Sequence, residues 1–168
     1  MDVSPFYNED TRIDFSIFLC TQYYRTKKMK NSVIRNTKDI ANKMDADIER
    51  MWNVISHILA TNLSHSLIMK KDSKWTLLTN SKSTFITSDQ PIVNIKGKYS
   101  NDVETEELEL YYPISPSKAL LISDINNSPK PDIFEINEEE IKKYNSIILN
   151  TCEEQIYLNN IDILKDLM

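Results

Sequence analysis

At 168 residues, with 40% apolar and 27% charged side chains and a net charge of −5, the chain is long enough to bury a substantial core as one domain. A single glycine excludes P-loops and dinucleotide fingerprints, which need several glycines for backbone approach and positive φ. Two distant cysteines, Cys20 and Cys152, supply neither a zinc ribbon nor a disulfide framework, and no apolar run reaches the ~20 residues of a membrane span, so a cytoplasmic protein without membrane contact is expected.

Charge is spread unevenly. Residues 1–98 hold 15 Lys or Arg against 10 Asp or Glu, and residues 99–168 hold 5 against 15. Within the first half, Arg25, Lys27, Lys28, Lys30, Arg35, Lys38 and Lys43 face one acid, Asp39. Such a cluster suits phosphates, and it equally suits docking on the acidic half of this chain or of a second copy.

In chain order, Asp14 to Arg25 reads as a buried helix, with Phe15, Phe18, Leu19 and Tyr23 at helical spacing. The basic stretch continues as helix or breaks near Asn31-Ser32. Asp45 to Lys70 is the clearest element. Its inner stripe is expected to run through Ile48, Met51, Ile55, Ile58, Asn62, His65 and Met69, with His57 off to one side. From Trp75 the period shortens, and five β-prone runs follow: Trp75 to Leu78, Thr84 to Thr87, Ile92 to Ile95, Glu107 to Tyr112 and Lys118 to Ile122. Turn-rich pieces such as Lys96-Gly97-Lys98 and Asn126-Asn127-Ser128-Pro129 separate them, and Tyr99 to Glu106 reads as a mobile loop. No helix pattern intervenes, which favours antiparallel pairing. Asn137 and Glu140 form a capping-box pattern ahead of Ile141, Tyr144, Ile148 and Cys152; a short strand at Gln155 to Leu158 and a helical turn at Ile161 to Leu167 close the chain. The expected class is α+β, a single domain over 1–168 with a helical part over about 10–70 and a sheet-rich part over about 75–168.

Asn62, His65 and Asn145 are polar residues at positions where the period calls for apolar ones, so each needs partners in the interior, as a core network or as part of a site. His57 and His65 are eight apart, and no further ligand completes a zinc set. Asp89, in Thr87-Ser88-Asp89-Gln90-Pro91, stands at a strand end before a proline, a place for a cleft carboxylate or an Asx turn. Ser88 lacks a nucleophile-elbow surround, and the run Glu104, Glu106, Glu107, Glu109 reads as solvated. Arg25 follows Tyr23 and Tyr24, whose rings are expected to hold its stem and fix its guanidinium.

Gln22-x-x-Arg25-Thr26, Phe85-Ile86-Thr87-Ser88-Asp89-Gln90-Pro91, Pro113-Ile114-Ser115-Pro116 and Asn145 in a late helix together resemble the bacterial family called domain of unknown function 4238. The resemblance covers residues 15–158. Lys27 stands where that family usually has proline and Gln90 where it has asparagine, and the family's opening His-x-Val-Pro-like segment has no counterpart here. The resemblance implies a shared fold and candidate positions without a reaction.

These readings lead to two expectations. One is a bacterial or phage-derived protein of defence or toxin type acting on nucleic acid: Arg25, Lys27 and Lys28 hold phosphates, and Asp89, His65 and Asn145 line a catalytic cleft. The other is a non-catalytic interaction module, one half of a split protein, or a homo-oligomer. Neither names a cofactor, and no metal is called for.

Overall fold

The computed structural model describes residues 8–69, 73–82, 84–97, 108–124 and 132–165. They group into two compact units, a helical one over Glu9–Lys71 and a sheet-rich one holding Asp72–Met168. The turn at Asn126 to Pro129, the loop at Tyr99 to Glu106 and the acids Glu104, Glu106 and Glu107 lie outside the described residues.

The helical unit contains α1 (Glu9–Tyr24), α2 (Lys27–Lys43) and α3 (Trp52–Met69). The chain breaks at Arg25-Thr26, and α2 runs unbroken through Asn31-Ser32. Thr26 explains the break. Its hydroxyl donates to the Tyr23 carbonyl at 3.1 Å and accepts from the Met29 N–H at 3.4 Å, so one side chain ends α1 and N-caps α2. Lys27 is therefore the first residue of a helix, where proline's fixed φ and missing N–H do no harm, which accounts for the family's usual proline there.

Helices α1 and α3 pack through small residues. Ser16, Leu19 and Cys20 of α1 are buried, as are Trp52, Ser56, Ala60, Ser64 and Leu67 of α3. Each buried serine donates to a carbonyl of its own helix, Ser16 to Arg12, Ser56 to Asn53 and Ser64 to Thr61, so burial leaves no hydroxyl unmet. This phase differs from the stripe expected for α3. Ile58, Asn62, His65 and Met69 are exposed, and so are Met51 and His57. On α1, Phe18 is half exposed as well. Large apolar side chains pointed to the wrong face because this contact is built from small ones.

The sheet-rich unit has a five-stranded sheet in the order β3 (Val93–Asn94), β4 (Glu109–Ser115), β5 (Lys118–Asp124), β1 (Ser73–Thr79), β6 (Ile133–Glu135). All pairs are antiparallel except β1 with β6, which is parallel and was not anticipated. A separate antiparallel pair joins β2 (Thr87–Ser88) to β7 (Ile156–Tyr157). Helix α4 (Glu138–Thr151) begins with the expected capping box: the Glu140 N–H donates to Asn137 Oδ1 at 2.9 Å, and the Asn137 N–H donates to Glu140 Oε2 at 3.1 Å. A short α5 (Asp162–Lys165) follows. Ile141, Tyr144 and Ile148 of α4 pack with Leu78, Phe85, Ile86, Val93, Tyr111 and Leu121. The Tyr111 and Tyr144 rings stack with centroids 4.5 Å apart. Helices, then a mainly antiparallel sheet, then a late helix make the α+β class.

Candidate functional site

Where α1 turns into α2, a cleft of about 740 Å³ opens against α3. Thr21, Arg25, Thr26, Lys27 and Lys30 line one side, and Trp52, Asn53, Ser56, His57 and Ala60 line the other. Its position follows from the local chemistry already described. The Thr26 joint presents Arg25 and Lys27 at the α1–α2 corner, both exposed, and the small side chains of Ser56 and Ala60 leave space beside α3.

Among the described residues, three cations and no carboxylate line this cleft. Lys30 Nζ lies 2.9 Å from Glu49 Oε1, so part of its charge is balanced, whereas Arg25 makes no ion pair among the described residues. Asn53 and His57, one helical turn apart on α3, bring an amide and an imidazole to the opposite wall. A volume of this size falls within the range of small-ligand sites, and guanidinium, ammonium, amide and imidazole groups are all able to donate to phosphate oxygens.

Of the residues singled out by sequence, Arg25 and Lys27 line the cleft and Lys28 does not. Arg25 is exposed, rather than buried against the neighbouring tyrosines, whose own rings meet edge to face at 5.2 Å. Lys30 was read only as one of the basic cluster and His57 only as lying off the stripe of α3, and Asn53 escaped the sequence reading. The i, i+4 spacing of Asn53 and His57 was available as a signal, but the assumed phase of α3 gave them no common destination. His65 is exposed and lies outside the cleft lining. Cys20 is no nucleophile at neutral pH, since burial pushes its thiol up to about 12.

Asp89 and Asn145 belong to the sheet-rich unit, where they join segments far apart in sequence. Asn145 is buried; its Oδ1 accepts the Ile86 N–H at 3.0 Å and its Nδ2 donates to the Thr84 carbonyl at 2.9 Å. The amide thus takes the place of a neighbouring strand for residues 84–86, which form no ladder. Phe85 faces the other way, donating its N–H to the Pro116 carbonyl at 2.9 Å.

The Asp89 carboxylate accepts the Glu153 N–H at 3.0 Å through one oxygen and the Glu154 N–H at 2.8 Å through the other, while its own N–H donates to the Gln155 carbonyl at 3.0 Å. This is a clasp onto the turn after α4, not an Asx turn near Pro91. Burial pushes the Asp89 carboxyl up, but the backbone N–H groups around it outweigh burial and hold it below the ordinary value. Ser88 completes the corner: its hydroxyl donates to the Gln90 carbonyl at 3.0 Å and accepts the Gln90 N–H at 3.1 Å. Gln90 Nε2 in turn donates to the Ile92 carbonyl at 2.7 Å.

Among the described residues no group of three or more His, Cys, Asp or Glu is placed to hold a metal ion, and no helix is long and apolar enough to cross a membrane.

The family described as "Protein of unknown function (DUF4238)" matches the chain over residues 4–162. That span exceeds the 15–158 covered by the motifs alone. No curated protein and no solved structure matches the chain.

Proposed function

This chain belongs to the DUF4238 family, a membership that fixes no reaction, and we propose that it binds phosphate-bearing ligands of the nucleic-acid class in the cleft of its helical unit. The observation that carries this reading is a cleft lined by Arg25, Lys27 and Lys30 with no carboxylate among its described lining residues. Residues 9–71 hold 11 Lys or Arg against 7 Asp or Glu, so the field around the cleft has the same sign as its lining. Arg25 supplies a planar fork for phosphate oxygens, Lys27 and Lys30 add positive charge, and Asn53 and His57 donate from the opposite wall. Action on nucleic acid in a defence or toxin setting is the biological form of this proposal. Asp89 and Asn145 act in it as fold residues, because the atoms a reaction would use are bonded to the backbone.

Fluorescence anisotropy with short single-stranded RNA and DNA at several salt concentrations tests the proposal. Neutralising three phosphates gives a slope of log affinity against log salt of roughly −2. Joint replacement Arg25→Ala and Lys27→Ala is expected to weaken binding about a hundredfold, since each charge-assisted contact contributes about 1.5 kcal/mol, with the melting temperature unchanged. Absence of binding at low salt, or binding indifferent to salt, refutes the reading.

A further inference from the structure

The polar groups of the helical cleft divide into those already bonded and those left free. The hydroxyls of Thr26 and Ser56 donate to the carbonyls of Tyr23 and Asn53, each at 3.1 Å. Thr21, the third hydroxyl of the lining, belongs to the wall of the cations, so no free protein hydroxyl stands beside the imidazole of His57. The side chains of Arg25, Asn53 and His57, by contrast, make no hydrogen bond or ion pair among the described residues, and all three are exposed. Guanidinium and ammonium groups keep their protons near neutral pH, an amide takes none, and no carboxylate stands among the described lining residues. Imidazole is therefore the group of this lining suited to accept a proton there. A base facing a row of cations, with no protein nucleophile at its side, suits a substrate that carries its own nucleophile next to its phosphate. RNA is such a substrate, through the ribose 2′-hydroxyl, and DNA is not.

We propose that this cleft cleaves single-stranded RNA by internal transfer of the phosphodiester, with His57 as the general base; the proposal rests on nucleic-acid binding in the same cleft. His57 takes the proton of the 2′-hydroxyl, and the 2′-oxygen forms a bond to the adjacent phosphorus. The bond from phosphorus to the 5′-oxygen breaks, its electron pair leaves with that oxygen, and the oxygen takes a proton from an ammonium of the opposite wall. Lys30, whose Nζ lies 2.9 Å from Glu49 Oε1, is the positioned ammonium. The products are a 2′,3′-cyclic phosphate and a 5′-hydroxyl end; no co-reactant is consumed, and the imidazolium and the neutral amine regain their resting states by proton exchange with water. Arg25, Lys27 and the Asn53 amide meet the negative charge that gathers on the non-bridging oxygens of five-coordinate phosphorus.

Incubation of the full chain with short single-stranded RNAs of mixed sequence and their DNA counterparts, all in EDTA, tests this. RNA is expected to be cut to fragments ending in a 2′,3′-cyclic phosphate, read by mass spectrometry, and DNA to be bound by anisotropy yet left intact. His57→Gln keeps a donor for the phosphate and accepts no proton, so at saturating protein the cleavage rate should fall at least about a hundredfold, the usual scale of a general base, while affinity for the DNA changes far less and the melting temperature holds. RNA bound but uncut, a cut that needs an added divalent cation, cleavage of the DNA, or a His57→Gln variant as fast as the parent each overturns this reaction and leaves the binding proposal standing. Failure of both RNA and DNA to bind overturns the two together.

Discussion

At the scale of single residues, Asp89 shows how a carboxylate in a signature motif can be spent on the backbone. Both oxygens take N–H groups from the turn that follows α4, and these bonds hold its carboxyl below the ordinary value against the upward push of burial. A folded-state pKa below the unfolded one means that the ionised carboxylate contributes stability above the unfolded value, and that this contribution is lost as pH falls through the folded value. Asp89→Asn keeps one acceptor oxygen in place of two and removes the charge, which costs about 1 kcal/mol at neutral pH. The expected outcome is a variant that melts lower than the parent at pH 7 and converges with it only as the pH falls below the folded-state value, which lies under the ordinary carboxyl value, where both are neutral at this position. Melting curves that stay parallel across this range show that the carboxylate's charge does nothing for the fold.

Elements were legible to the degree that their signals were local. The start of α4 was readable because a capping box is a four-residue statement with its own hydrogen bonds, and the β1 run was readable from its β-branched and aromatic content, Trp75, Thr76 and Thr79. The phase of α3 was not. A helix without charge on any face, with serine and alanine on its packed side, offers two faces to a hydrophobicity reading, and the larger side chains drew attention to the outward one. That misplacement carried His65 and Asn62 inward and kept Asn53 and His57 from being seen as partners in one cleft. Parallel β6 was missed because its three residues sit beside β1 through long-range pairing that no local pattern records. The end of α2 allows a test of local chemistry in a chain with one glycine. Asp45 has a φ of 51°, in the left-handed region, and the Ala46 N–H reaches back to the Ala41 carbonyl at 2.9 Å, closing the helix as a Schellman turn does. Aspartate adopts this conformation at a cost that glycine does not bear, so Asp45→Gly should raise the unfolding free energy by about 0.5 to 1 kcal/mol in denaturant titration. A lower midpoint than the parent's refutes this account of the cap.

At the scale of the molecule, charge and signature divide between the two units. Residues 9–71 carry a net +4, from 11 basic against 7 acidic residues, and residues 72–168 a net −8, from 9 against 17. The family's Phe-x-Thr-Ser-Asp segment and Asn145 meet in the acidic unit as fold-holding bonds, and the Gln-x-x-Arg-Thr segment forms the corner of the basic cleft. Stability and binding should therefore respond to different substitutions. Asn145→Ala leaves the buried Ile86 N–H and the Thr84 carbonyl without their side-chain partner, at a cost of about 2 to 3 kcal/mol. Asn145→Asp offers an acceptor to Ile86 but no donor to Thr84, and buries a charge besides, so it should be no milder. Both variants should melt several degrees lower, and, at temperatures where they remain folded, bind oligonucleotides as the parent does. Arg25→Ala should do the reverse, losing affinity at an unchanged melting temperature. Paired measurement of melting by circular dichroism and of affinity by anisotropy on these three variants decides the matter. An Asn145 variant that is folded yet fails to bind would return Asn145 to the functional site and remove the grounds for placing that site in the helical cleft alone.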